Sequence, residues 1–428
     1  MRMAWLGPVG SDGGVPAMGT LLLEHILGQG IEVDFFTSSR REALPASLQG
    51  FSNLEVVTAE NSWQWGRWYS RTPFISFVSG TFSRAQVQKR LATMLIQRNH
   101  TKPYDCVFKF SIAELFKLGR HLEQLPPVVV YPCVHAAGEL RWHRRESAYA
   151  RRSESLPMHY LVRLFLRYRT WLQRGQYRKP AMLIGMSRRF NQLVAADYGL
   201  DASAMGVLYH PIRFPEGARP NAAASPPQQR PFKLLYVSRI SVRKGLEQIV
   251  ELSRRLDDLR GKVEIEVIGG RTQWSDYTRH LADLNPHTAK YLGSLANVKL
   301  VERYRESDIL LLPSMYEPGG IVVGEALSHG MCVVASDEVG SAEPVSVDCC
   351  RTFPAGDVDQ LEKCVRTLID DLTTRGSELR ARAAEEARRH FEPSRIASQL
   401  VEHLRTAIAR TETQKFVSSR VVSAAITG

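Results

Sequence analysis

No stretch of this 428-residue chain is apolar for long enough to span a bilayer, and Met1 to Gly7 runs into Pro8 and glycines before a secretory core can form. A cytoplasmic protein is therefore expected. Cysteine is sparse as well: Cys106, Cys133, Cys332, Cys349, Cys350 and Cys364 form no C-x-x-C pair and do not cluster with histidine. That excludes a disulfide framework or a structural zinc as the organising device, and it suits a reducing compartment. True G-x-G-x-x-G spacing is also missing, because Gly7, Gly10, Gly13 and Gly14 fall at other intervals and Asp34 lies inside an apolar run. A nicotinamide cofactor is not expected. Asp357-Val-Asp359 has the form of a DxD metal motif, but apolar Leu361, Val365 and Leu368 follow it at helical spacing. Turn and N-cap duty is the reading there, and no metal ligands are assigned.

What the chain does have is apolar material, 44% of its residues, and more length than one core usually serves. The first forty residues read as a β-α-β unit, with a strand at Met3 to Gly7, a glycine-rich turn, a helix at Met18 to Leu27 and a strand at Ile31 to Thr37. Further strands are expected at Leu54 to Thr58, Cys106 to Phe110 and Val128 to Val134, separated by enough chain for crossover helices. The segment Glu216 to Arg230, rich in Pro, Ala, Ser and Gln, has no apolar period and reads as a linker. The same grammar then restarts, with strands at Phe232 to Val237, Val263 to Ile268, Ile309 to Leu312 and Met331 to Ala335, and helices at Leu246 to Leu256 and Ile321 to Ser328. Ile396, Leu400, Val401, Leu404 and Ile408 give a last helix whose apolar face can pack back on the first half.

The formal net charge of +12 is concentrated: between Arg141 and Lys179 there are 11 Lys or Arg against two acids, Glu146 and Glu154. Such a block suits an anionic membrane surface, nucleic acid or a phosphorylated ligand. Within it Leu161, Leu164, Phe165, Tyr168, Trp171 and Leu172 recur at helical spacing, with Arg163, Arg167 and Arg174 on another face. Two readings stay open, a membrane-surface helix and a packing helix with a solvated basic face. The aromatic stretch Trp63, Trp65, Trp68, Tyr69, Phe74 and Phe77 admits an acceptor or lipid site, or core and loop.

The chemistry concentrates in Glu317-Pro-Gly-Gly-Ile-Val-Val-Gly-Glu325, which follows an apolar strand and opens a helix with apolar neighbours. An ionised Glu325 in such a setting needs a polar partner, and a ligand's paired hydroxyls would serve. Gly319 and Gly320 let a phosphate approach the helix N-terminus. Carboxylates beside a diphosphate require cations, and Arg239 and Lys244, in Val237-Ser-Arg239-Ile-Ser-Val-Arg-Lys244-Gly245, stand at the carboxyl end of another strand. In an open parallel sheet both turns face one crevice.

In these residues the chain resembles the retaining GT-B glycosyltransferases of family 4, which include sucrose synthases and phosphatidylinositol mannosyltransferases. Arg239 and Lys244 are similar to the family's G-R-L-x-x-x-K-G turn, with Ser238 for the first Gly, and Glu317 and Glu325 to its E-x7-E pair. Gly340 to Glu343 resembles its G-G-x-x-E with one Gly missing; Gly13 and Gly14 resemble its paired glycines, and His135 its histidine on the catalytic face. Ser187, and Leu208-Tyr-His-Pro211 with His210-Pro211 in place of Asn-Gly, resemble positions closing the first domain. The likeness covers nearly the whole chain and is specific from about residue 232 to 345.

The resemblance implies an α/β GT-B fold of two Rossmann-like, doubly wound domains facing a cleft. Residues 1–212 would bind the acceptor, 213–230 link, 231–392 bind the nucleotide sugar, 393–410 return as a helix to the first domain, and 411–428 form a flexible tail. It implies a retaining, metal-independent glycosyltransferase, a hexosyltransferase, using a nucleotide diphosphate sugar as co-substrate and no cofactor. Arg239, Lys244, Gly13, Gly14, Gly319, Gly320, Ile321 and Glu325 would hold the donor, and His135, Arg239, Lys244 and Glu317 would serve catalysis. The acceptor is open, with a lipid-linked one and a peripheral place on the inner membrane face admitted through residues 141–179, and no nucleic-acid partner is expected. Alternatives are a nucleotide-sugar epimerase or hydrolase on the same fold, and a noncatalytic RNA-binding or membrane scaffold.

Overall fold

The computed structural model describes residues 1–10, 14–39, 41–61, 63–64, 66–111, 114–145, 156–214, 230–271 and 276–426. Gly13, Trp65, nearly all of the linker and part of the basic block lie outside these.

The first half builds a seven-stranded sheet from β1 (Arg2–Leu6), β2 (Glu32–Thr37), β3 (Leu54–Thr58), β4 (Cys106–Ser111), β5 (Val128–Pro132), β6 (Met182–Gly185) and β7 (Gly206–Val207). Its order is β3-β2-β1-β4-β5-β6-β7. The second half builds six strands, β8 (Phe232–Val237), β9 (Val263–Ile268), β10 (Ala289–Gly293), β11 (Ile309–Leu312), β12 (Cys332–Ser336) and β13 (Cys350–Phe353), in the order β10-β9-β8-β11-β12-β13. All pairings are parallel, so both halves repeat the 3-2-1-4-5-6 order of a doubly wound dinucleotide-type sheet. Continuous apolar runs such as Ile309–Leu312 form these strands because helices cover both sheet faces and leave every side chain buried.

The helices are α1 (Gly14–Gly28), α2 (Ala46–Gln49), α3 (Pro73–Thr101), α4 (Ala136–Arg145), α5 (Leu156–Gln176), α6 (Arg188–Tyr198), α7 (Leu246–Arg255), α8 (Asn297–Glu306), α9 (Ile321–Ser328), α10 (Val358–Phe391) and α11 (Pro393–Ile426). Each half has its own apolar core, and Ile396, Leu400, Val401 and Leu404 of α11 belong to the core of the first. The terminal helix therefore returns as expected, and its helical span runs from Pro393 to Ile426. Asp357 is the N-cap of α10, its carboxylate accepting from Gln360 N at 3.0 Å, which is the structural duty read for that motif. Asp34 is buried under Arg2, Arg98 and Tyr104, at 2.6, 3.1 and 2.6 Å. Among the described residues no helix is long and apolar enough to cross a membrane.

Candidate active site between the two domains

Strands β8 and β11 are hydrogen-bonded neighbours, Leu234 standing opposite Ile309, so the turns leaving their carboxyl ends must emerge side by side. That adjacency brings Lys244 to Glu317: Lys244 Nζ donates to Glu317 Oε2, and both side chains are largely buried. Gly245 makes the approach possible. It sits at φ +79°, and a Cβ there would lie 2.1 Å from the carbonyl oxygen of Pro313, at the end of β11. The turn is thereby pressed against the neighbouring strand.

The loop from Glu317 to Gly320 is fixed by the next crossover. Gly340 N donates to Glu317 O at 3.0 Å, Ser341 N to Gly319 O at 2.8 Å and Ser341 Oγ to Gly320 O at 2.6 Å. Gly320, at φ +93°, opens α9 without a side-chain cap, so the helix begins with amides that none of its own side chains occupies. Gly319 faces the first domain, and a Cβ on it would meet the His210 ring at 2.3 Å. Burial pushes that imidazole down to about 4. Gly14, at the start of α1, lies opposite Ile321, whose Cγ2 would be 3.9 Å from an added Cβ. The start of α1 thus faces the start of α9 across the cleft.

Charge in the cleft is arranged in pairs. Arg243 Nη1 donates to Glu139 Oε1 of α4 at 2.5 Å, joining the two domains. Burial raises the Glu139 carboxyl, and Arg243, helped by Lys244 and Arg239, overcomes that and holds it below its ordinary range. Arg239 is held low by burial and by Arg243, with Glu139 opposing. Three cations therefore share one turn against two carboxylates. An incoming dianion would find surplus positive charge there.

Glu325 does not wait for a ligand in the way its sequence setting suggests. Tyr304 OH of α8 donates to Glu325 Oε2 at 2.9 Å, and Tyr304 in turn stacks on His329, with ring centroids 5.4 Å apart. Burial raises the Glu325 carboxyl, the tyrosine opposing. Its polar partner is thus supplied by the chain, and a ligand is not demanded by burial alone.

His135 stands at the domain seam with no exposed surface. Its Nδ1 lies 3.4 Å from Tyr316 OH of the second domain, and its Nε2 lies 3.0 Å from Asp197 Oδ2. Arg141 grips the same Asp197 at 2.5 and 2.7 Å. Contact between His135 and a substrate requires Tyr316 to withdraw. Glu343 also crosses the seam, accepting from Arg188 N at 2.9 Å and Arg189 N at 2.7 Å, so it caps the start of α6. Ser187 Oγ, accepting from Phe190 N at 3.0 Å, shares that cap.

The structure thus gathers Arg239, Lys244, Gly245, Glu317, Gly319, Gly320 and Ile321 into one cleft wall, with Gly14 opposite. Gly13 lies outside the described residues. Sequence reasoning missed Glu139, Arg243, Tyr316 and Asp197 as seam residues, and only Arg243, inside the quoted turn, carried a local signal. Among the described residues no group of three His, Cys, Asp or Glu could hold a metal ion.

Known proteins share this fold. Residues 219–390 match the model of the family "Glycosyl transferases group 1". A glycogen synthase of Mycobacterium tuberculosis is 30% identical over 215 residues, which are 48% of this chain and 49% of that protein. The chain thus spans about half the length of the curated relatives it matches. Sucrose-phosphate synthase from Thermosynechococcus elongatus superposes with a TM-score of 0.64 at 17% identity, covering 96% of this chain and 99% of the other. Anabaena Alr3699/HepE in complex with UDP superposes with a TM-score of 0.58 at 18% identity, over 95% and 100%. The fold is GT-B, two Rossmann-like domains closing on a cleft. Within that class, residues 219–390 are similar to the domain that this glycosyltransferase family shares.

Proposed function

We propose that the protein is a retaining glycosyltransferase that moves a hexose from a nucleotide diphosphate sugar to an acceptor held by the first domain, without a metal ion. The observation that carries this reading is the meeting of Lys244 with Glu317 beside the uncapped start of α9. A HepE structure with UDP-glucose, on the same fold, supports a nucleotide sugar as donor.

In this reading the donor diphosphate settles between Arg239, Lys244 and the Gly320 end of α9, Glu325 takes the ribose hydroxyls through the oxygen that Tyr304 leaves available, and Glu317 contacts the sugar. Lys244 exchanges Glu317 for phosphate. The exchange releases Glu317 towards the sugar only when donor is present. The bond from the anomeric carbon to the phosphate oxygen then breaks, and the acceptor oxygen bonds on the same face. The acceptor's proton passes to the departing phosphate, whose charge the two cations and the helix terminus stabilise. His135 borders the sugar once Tyr316 moves aside. The enzyme works in the cytoplasm, on the inner membrane face, on a lipid-linked acceptor.

Two readouts test it with a donor selected by binding. The sugar released to water should keep the donor's anomeric configuration in early NMR spectra, and Lys244→Ala should lower turnover by roughly 10² to 10³, the loss of one preorganised charge-stabilising contact. Inverted product, or near-normal turnover in a folded Lys244→Ala protein, overturns the reading.

A further inference from the structure

Helix α5 carries an apolar stripe that the fold does not cover. Leu156, Tyr160, Leu164, Tyr168 and Trp171 are each more than half exposed, Trp171 at 69%. On a helix of 3.6 residues per turn they fall within an arc of about 120°. The residues expected to form one apolar face are thus split between two. Leu161 and Phe165 pack with Phe77, Met158 and Val162 in a small separate core against α3, and Phe165 meets the Phe77 ring edge-on at 5.1 Å. Leu164, Tyr168 and Trp171 point into solvent instead. Isolated exposed apolar residues are ordinary; a continuous stripe of five along one helix is not.

Along α3 and α5 the charge has one sign. By the same helical period Arg163, Arg167 and Arg174 fall along one edge of the stripe's arc, within about 20° of Leu156. Across α3 and α5 together there are eight Lys or Arg and no Asp or Glu. A protein partner's apolar patch would not call for an acid-free flank, whereas anionic headgroups would. Tyr and Trp along the stripe suit the boundary between headgroups and acyl chains, where an aromatic body is buried and its polar tip stays wet.

We propose that α5 is a membrane-docking helix, lying in the plane of a bilayer that contains anionic lipid with Leu164, Tyr168 and Trp171 inserted and the arginine strip on the headgroups. This rests on the glycosyltransferase reading and deepens it, because it names the surface from which the acceptor is taken. Helix α5 packs along α4, which begins next to His135 and carries Glu139 at the seam. The docked face therefore belongs to the acceptor domain. It also relocates the anchor, from the basic block 141–179 as a whole to one helix face on which apolar insertion and charge act together.

The test is flotation of the full chain with vesicles of phosphatidylcholine alone and of phosphatidylcholine with about one third phosphatidylglycerol. The wild type should bind the anionic vesicles at least about tenfold better than the neutral ones. Leu164→Gln with Trp171→Gln should lose about tenfold or more of that binding while retaining the thermal shift given by the nucleotide. Equal flotation of wild type and variant, flotation indifferent to phosphatidylglycerol, or a self-association abolished by the same substitutions would each overturn the proposal. A normal nucleotide shift without flotation sinks the docking helix alone, and a missing nucleotide shift sinks the donor-site reading beneath it.

Discussion

At the scale of single residues, the site is a set of polar groups that already have partners within the chain. Glu317 occupies Lys244, Glu139 occupies Arg243, and Tyr304 occupies one oxygen of Glu325. His210 is the sharpest individual case. Its ring is wedged against Gly319, and its folded pKa of about 4 lies below the ordinary 6.5. As pH falls below 6.5 the unfolded chain takes up a proton that the folded ring refuses, so stability is lost between 6.5 and 4. We expect this residue to account for about 2 kcal/mol of the stability lost between pH 7 and pH 5. Urea unfolding of the wild type and of His210→Gln at both pH values checks it: the substituted protein should show the shallower pH dependence. Parallel dependences would contradict the assignment.

At the scale of elements, most of the fold was legible because buried parallel strands and their crossover helices leave strong apolar runs. Ile309–Leu312 and Phe232–Val237 were bounded correctly from sequence. β10 was not, since Ala289–Gly293 is an edge strand with exposed Lys290 and Tyr291 and has no apolar run to announce it. Helix α3 was hidden by its aromatic and serine-rich first half. The turns of the cleft wall were legible through glycine, and comparison of Gly245 with Gly261 separates the reasons for a glycine at such a place. Gly245 and Gly261 both have positive φ, +79° and +76°, but only Gly245 also faces a backbone oxygen, 2.1 Å from an added Cβ, while Gly261 has nothing within 4 Å. Gly261→Ala should cost about 1 kcal/mol of backbone strain. Gly245→Ala should cost more, about 3 kcal/mol, and should displace Lys244 and weaken nucleotide binding. Chemical denaturation with nucleotide titration compares them; equal losses with unchanged binding would show that the β8–β11 contact does not hold the lysine.

At the scale of the whole molecule, the two domains are tied by contacts whose partners lie far apart in sequence, which is why none of them was legible. Glu343 caps a helix of the first domain, Arg189 reaches Glu338 at 2.6 Å, and Tyr316 covers His135. A Cβ on Gly138 would lie 2.4 Å from Tyr316 OH, so the seam is closed tightly at that point. On the proposed reading, a donor competes with Glu317 for Lys244, and an acceptor reaches His135 only when Tyr316 lifts. The donor half of this account can be separated from the rest by one measurement, a thermal-shift panel of UDP, GDP and ADP sugars on the wild type and on Glu325→Ala. A ligand at 100 times its Kd adds about 2.7 kcal/mol of stability. The account predicts that one nucleotide family stabilises the wild type selectively and that Glu325→Ala abolishes the shift; a panel in which no nucleotide sugar stabilises the wild type would contradict it.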